Sequence, residues 1–232
     1  MKKKIVSVLV AAALASFTAL GVSACGGSSG GSSSGSQQQQ QQPAEPTYID
    51  SVDENDPYAS GTHHVKVTVE GFKPFTIALD ADSAPISVSN FCHLVEDGFY
   101  NGLTFHRVVD EFCLQGGDPD GNGLGGSEQK IKGEFSGNGV ANKLADNFKR
   151  GTVSMARNSS SMNSASSQFF ITLSDVYAGS LNGQYAAFGS ISKKDMATVD
   201  KIVKSCLSSA AQDTGIIPAK KQPKITKIKI VD

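Results

Sequence analysis

The 232-residue chain has no tryptophan, four cysteines and no surplus of either charge: 21 Lys plus Arg stand against 22 Asp plus Glu. Each shortage excludes something. Four cysteines over this length do not make a disulfide scaffold, because such scaffolds are short and cysteine-dense. A net charge of −1 offers no basic excess to neutralise phosphates, so no nucleic-acid partner is expected. Hydrophobic residues at 39% and charged residues at 19% exclude a coiled coil, a collagen and a wholly disordered chain. What remains is a chain able to pack one sizeable core.

The one long apolar run lies at the N-terminus. Lys2, Lys3 and Lys4 precede residues 5–22, which are rich in Ala, Val and Leu. About 18 such residues would just span a bilayer, or serve as a simple secretion signal. The run ends in Val22-Ser23-Ala24-Cys25, an aliphatic residue, two small residues and a cysteine. This resembles the lipobox of bacterial lipoproteins, which implies removal of residues 1–24 and lipidation of Cys25. The chain is then expected at the cell membrane, lipid-anchored and facing the outside of the cytoplasmic membrane. Without its three leader lysines it holds 18 basic and 22 acidic residues, a net charge of −4.

Residues 25–47 are Gly, Ser, six glutamines and two prolines, with nothing to bury, and read as a flexible tether. Its reach is on the order of 25 Å, at ~5–6 Å × √n. Residues 26–30 satisfy the G-x-S-x-G nucleophile pattern, but that pattern needs a strand before it and a helix after it. In a low-complexity linker it carries nothing.

The globular part is expected over residues 48–232. Val65, Val67 and Val69 alternate with polar residues as in a half-buried strand, and residues 75–79 read as its hairpin partner. Pro85 opens a helix with Val88, Phe91, Cys92 and Val95 on one face, and Gly98 ends it. Short strands are expected at 105–109, 112–115, 152–156, 168–172, 187–191 and 224–231. A second helix fits 196–203. Many short strands and two helices point to a mainly β barrel or sandwich. Residues 121–126 satisfy G-x-G-x-x-G, yet a turn precedes them and no helical period follows, so no dinucleotide is expected there.

The stretch Phe105-His106-Arg107, then Phe112-Cys113-Leu114-Gln115-Gly116-Gly117, resembles the signature of the cyclophilin family. Met155-Ala156-Arg157, Ser167-Gln168-Phe169-Phe170-Ile171, Leu181-Asn182-Gly183 and Phe188-Gly189 are similar to further motifs of that family, in the same order. The resemblance runs from about residue 63 to 231. It implies a closed eight-stranded antiparallel β-barrel capped by two α-helices, and peptidyl-prolyl cis–trans isomerase activity on proline-containing polypeptides. It also implies site roles. Arg107 is the catalytic donor, with Gln115 and Phe112 beside it. His106, Cys113, Ala156, Arg157, Gln168, Phe170, Leu181 and Tyr185 form the substrate-binding surroundings.

No cofactor is implied, and a monomer is expected. No metal site is expected either: adjacent His63 and His64 should point to opposite faces of a strand, and His93 lacks a second ligand at i+4. The acids between Asp110 and Asp120 read as a solvated loop. Cys92, Cys113 and Cys206 read as buried thiols rather than a disulfide plus one. Two rival readings are a groove that binds proline segments without turnover, which would not need Arg107 and Gln115, and a ligand-presenting lipoprotein, which needs two lobes.

The chain departs from the family at three places. Cys113 stands where Met is usual, Asp110-Glu111 replaces Pro-Gly, and Ser180 replaces a tryptophan that helps many members bind cyclosporin. Weak cyclosporin binding is therefore expected, and a titration giving tight binding would contradict this reading.

Overall fold

The structure is a computed structural model that describes residues 47–232. The leader, Cys25 and all but the last residue of the expected tether lie outside the described residues. Tyr48–Asp232 forms one compact unit.

Its elements, in chain order, are β1 (Tyr48–Ile49), β2 (Thr62–Val69), β3 (Phe75–Asp80), α1 (Pro85–Glu96), β4 (Thr104–Val109), β5 (Cys113–Asp118) and β6 (Lys130–Ile131). Then come β7 (Thr152–Met155), β8 (Phe169–Thr172), α2 (Ala178–Leu181), β9 (Ala187–Ile191), α3 (Lys193–Cys206) and β10 (Ile225–Ile230). Eight strands make one antiparallel sheet in the order β10-β2-β3-β9-β7-β8-β5-β4. Its two ends meet. Thr104 bridges Lys224, the Phe105 N–H donates to the Pro223 carbonyl at 2.9 Å, and the Ile225 N–H donates to the Leu103 carbonyl at 2.8 Å. The result is a nearly closed barrel.

The period-2 pattern sets which side chains point inward. Val65, Val67 and Val69 are buried beside Phe75, Ile77 and Leu79 of the paired strand. Phe105, Phe169 and Phe188 fill the barrel from other strands, and α1 closes one end through Phe91, which packs on Tyr100, Phe169 and Phe188. α3 covers β3 and buries Met196, Val199, Ile202 and Cys206.

Most expected elements are found within a residue or two, and the differences have local causes. α3 runs past the expected 196–203 at both ends because the Ser192 side chain caps it, accepting from the Asp195 N–H at 3.1 Å. β1 pairs with β6 in a two-stranded parallel sheet, and α2 is a single turn. These short pieces carry too few residues for a periodic signal. His63 and His64 do not diverge as expected. Each places Nδ1 against the Asp232 carboxylate, at 3.3 and 2.9 Å, because Asp232 sits at the strand's end rather than on either face.

α1 begins at Pro85 without a side-chain cap of its own, since Ala84 is the preceding residue. The cap comes from far away in sequence. The buried Glu134 carboxylate accepts from the Ile86 N–H at 2.9 Å, the Ser87 N–H at 2.8 Å and the Ser87 hydroxyl at 2.6 Å. An anion here also complements the helix dipole. Removing it strands buried donors, each costing about 1–3 kcal/mol. Glu134→Ala is expected to cost at least about 2 kcal/mol, lowering Tm by roughly 4–8 °C at ~2–4 °C per kcal/mol, as read by thermal unfolding.

Candidate active site

The outer faces of β4, β5, β8 and the end of β7 form a shallow groove. Arg107 stands on β4 opposite Gln115 of β5, which in turn pairs with Phe170 of β8. Alternation on β8 turns Phe169 into the barrel and Phe170 outward, and a register shift between Phe105 and Arg107 puts Phe105 inside and Arg107 outside, opposite Gln115.

Arg107 is held from three directions by neutral atoms. Its Nε donates to the Thr214 carbonyl at 2.8 Å, and one terminal nitrogen donates to Gln115 Oε1 and to Cys113 Sγ, both at 3.2 Å. The Phe112 ring lies 5.9 Å from the guanidinium carbon. Among the described residues no carboxylate is within ion-pair distance of Arg107. Its charge is therefore positioned but not neutralised.

A relay of amides extends from it. The Gln115 amide donates to Gln168 Oε1 at 2.8 Å, and the Gln168 amide donates to the carbonyls of Gly123 and Gly125 at 3.1 and 2.8 Å. This anchors the glycine loop to the groove. The loop's own N–H groups are turned inward: the buried Asp118 carboxylate accepts from Asp120, Asn122 and Gly123. Asp118 also corrects the expectation of a uniformly solvated acidic loop, since Asp110, Glu111 and Asp120 are exposed and Asp118 is not.

Next to Arg107 lies an apolar cluster. Cys113, Phe170 and Leu181 are nearly buried and Phe112 is half-buried. Phe170 stacks on Phe148 at 6.3 Å and meets Tyr185 edge-on at 5.6 Å. Beyond it, the Arg157 guanidinium lies over the rings of Tyr185 and Phe135, at 4.9 and 5.4 Å, while its Nε donates to the Gln184 carbonyl. Ala156 is half-buried and tied to strand β8 by its N–H to the Gln168 carbonyl.

Ten of the eleven groove residues expected from sequence thus gather on one outer face. His106 does not. It lies in the register shift between Phe105 and Arg107, fully buried with neither ring nitrogen hydrogen-bonded, so it has no surface to offer a substrate and can only support the site from beneath. The sequence reading missed Thr214, Tyr177, Phe135 and Phe148. Thr214 acts through its backbone carbonyl, which no side-chain motif signals, and Tyr177 meets Phe112 edge-on at 5.1 Å across a loop. Among the described residues no three His, Cys, Asp or Glu side chains stand together as metal ligands, and Cys92, Cys113 and Cys206 are free thiols.

The model of the cyclophilin-type peptidyl-prolyl cis–trans isomerase family matches residues 64–231. The chain belongs to that family. It is 41% identical over 128 residues to a peptidyl-prolyl cis-trans isomerase of Helicobacter pylori, covering 55% of this chain and 73% of that protein. To peptidyl-prolyl cis-trans isomerase A of Dickeya dadantii it is 38% identical over 149 residues, or 62% and 73% of the two chains. The fold is similar to a crystal structure of a cyclophilin-type isomerase from Cryptosporidium parvum, with a TM-score of 0.62 and 26% identity. That match covers 74% of this chain and 99% of the other. The protein is a cyclophilin-type peptidyl-prolyl cis–trans isomerase, and the groove carries the residues by which the sequence resembled one.

Burial pushes the buried His106 down to about 4, with the Arg107 charge adding to the effect and Asp118 opposing it. A histidine depressed in the folded state contributes its full stability above the unfolded value near 6.5 and loses it as pH falls toward 4. The loss over that window is about 3 kcal/mol at ~1.4 per unit. His106→Gln is expected to flatten this part of the acid-stability profile, measured by denaturant unfolding between pH 7 and 4.

Proposed function

We propose that this isomerase works outside the cytoplasmic membrane, tethered by lipid at Cys25, on proline-containing segments of secreted or envelope proteins as they fold. Rotation about a peptide bond must break amide resonance, a barrier of ~18–20 kcal/mol. The two X-Pro isomers differ by only about 0.5–1 kcal/mol, so both are populated and exchange slowly without help. No nucleophile, metal or proton relay is required. A catalyst must hold the proline ring and offer a donor that is better satisfied when the bond is twisted.

Arg107 fills the second role. In the twisted state the prolyl nitrogen is no longer conjugated and accepts a hydrogen bond that the planar amide cannot. An arginine whose charge is left unneutralised, and whose plane is fixed by the Thr214 carbonyl and Gln115, can donate there without first reorganising. That held but unpaired guanidinium beside an apolar cluster is the observation that carries the proposal. Phe112, Cys113, Phe170 and Leu181 receive the ring, with Tyr185 at the rim. Gln115 orients the arginine and contacts substrate. The Arg157 backbone holds the substrate carbonyl, and Ala156 and Gln168 line the groove for the preceding residue.

The placement outside the membrane is supported by the Val22-Ser23-Ala24-Cys25 sequence and the Gly, Ser and Gln run after it. Two arms test the proposal. Arg107→Ala is expected to lower kcat/KM for an X-Pro peptide by two or more decades, roughly 2.7 kcal/mol or more at ~1.4 per decade, with the fold intact by circular dichroism. Cys25→Ser is expected to abolish incorporation of radiolabelled palmitate and release the protein from the membrane fraction. A variant that still isomerises, or one that stays lipidated, would overturn the corresponding half.

A further inference from the structure

The charges of the described residues are sorted by side. Apart from Arg107 and Arg157 in the groove itself, the segments around it, 108–129, 158–192 and 205–219, contain no lysine or arginine. They expose Asp110, Glu111, Asp120, Asp175 and Asp213. In the closed barrel order β10 and β2 stand opposite β7 and β8, while β10 adjoins β4 at the closure through Thr104 and Lys224. There the outward positions are lysines: Lys66 of β2, Lys227 and Lys229 of β10, Lys224 just before β10, and Lys73 in the turn after β2, all exposed.

These lysines have no partners. Among the described residues no lysine is in an ion pair. The acids bordering the wall are few and mostly engaged. Asp232 accepts from His63 and His64, and Glu96 from the Tyr58 hydroxyl and His93. Glu70 alone stands free at the end of β2. Lys229 is placed directly opposite Lys66 in the sheet register, an arrangement that is unfavourable for an isolated pair of strands. Its repulsion is relieved when an anionic surface lies over both.

We infer that the outer face of β10 and β2 docks on the anionic phospholipid headgroups of the membrane, turning the acidic groove face away from it. The inference rests on the proposed anchorage at Cys25, which would keep a bilayer within the ~25 Å reach of the tether. Attraction of the wall lysines and repulsion of the exposed acids of the groove loops act in the same sense and favour this orientation. The groove then opens toward chains arriving from outside rather than toward lipid. A lysine beside an anionic bilayer strengthens partitioning about fivefold, so five of them suffice for weak, salt-sensitive docking without insertion.

The test uses Tyr48–Asp232, which lacks Cys25 and so keeps this inference separate from lipidation. Sedimentation with vesicles of phosphatidylcholine alone is compared with vesicles holding about a third phosphatidylglycerol. Binding is expected only to the anionic vesicles, and should vanish in 0.5 M salt, where the screening length drops to a few ångströms, on the order of 4 Å. The double substitution Lys227→Gln and Lys229→Gln, both at exposed positions, is expected to weaken binding roughly twentyfold with an unchanged melting curve. The vesicle-bound protein should isomerise a soluble proline peptide as fast as the free protein does. No binding to anionic vesicles, equal binding to both kinds, or indifference to the lysine changes would overturn the docking face. Loss of turnover on the vesicle would overturn the orientation.

Discussion

The backbone pairing that closes the barrel is also what builds the site. β4 lies at one end of the eight-strand order, and its free edge would leave a row of unpaired N–H and C=O groups. The C-terminal segment satisfies them. Val108 donates to Gly215, Ile217 to His106, Phe105 to Pro223 and Ile225 to Leu103. Running this segment along β4 brings the Thr214 carbonyl under the Arg107 side chain. Gly215 adopts φ +74 there, and an added Cβ would meet the Val108 carbonyl oxygen at 2.5 Å, so only glycine lets the two backbones approach this closely. Closure and the proposed site therefore share one set of contacts, although the two segments are separated by more than a hundred residues.

The site's chemistry follows from what surrounds the arginine. A carboxylate partner would hold Arg107 more firmly but would compete for the donors that the proposed role requires. Carbonyl, amide and thiol acceptors fix the plane and leave the charge available. The same economy runs through Gln115 and Gln168 into the glycine loop, where Asp118 accepts from the Asn122 and Gly123 N–H groups. His106 belongs to this arrangement from below, because its burial beneath the loop keeps it neutral at physiological pH and adds no second positive charge beside the arginine.

Legibility in the sequence varied by residue and for definable reasons. Val65, Val67 and Val69 announced a strand because alternation is a local property of extended chains, and Pro85 and Gly98 marked a helix because each restricts or permits particular backbone angles. Arg107, Gln115 and Phe170 were legible through resemblance, not through any pattern of their own. The His106 side chain was misplaced, although alternation after Phe105 and before Arg107 is irregular there, with register shifts on both sides of Phe105. Asp118 looked like one more loop acid because nothing in its neighbours shows that three backbone N–H groups would fold around it.

The sequence by itself determined the elements, the family and the identities of the groove residues, because periodicity, turn chemistry and ordered motifs are written locally along the chain. Only the tertiary structure decided which backbone carbonyl holds Arg107, which distant carboxylate caps α1, and how the charges divide between two walls of the barrel. Those depend on strand order and register, and contacts between segments far apart in sequence carry no local signal. A lysine on β10 and an aspartate after β8 read alike in the sequence, and it is the strand order that sets β10 and β2 opposite β7 and β8.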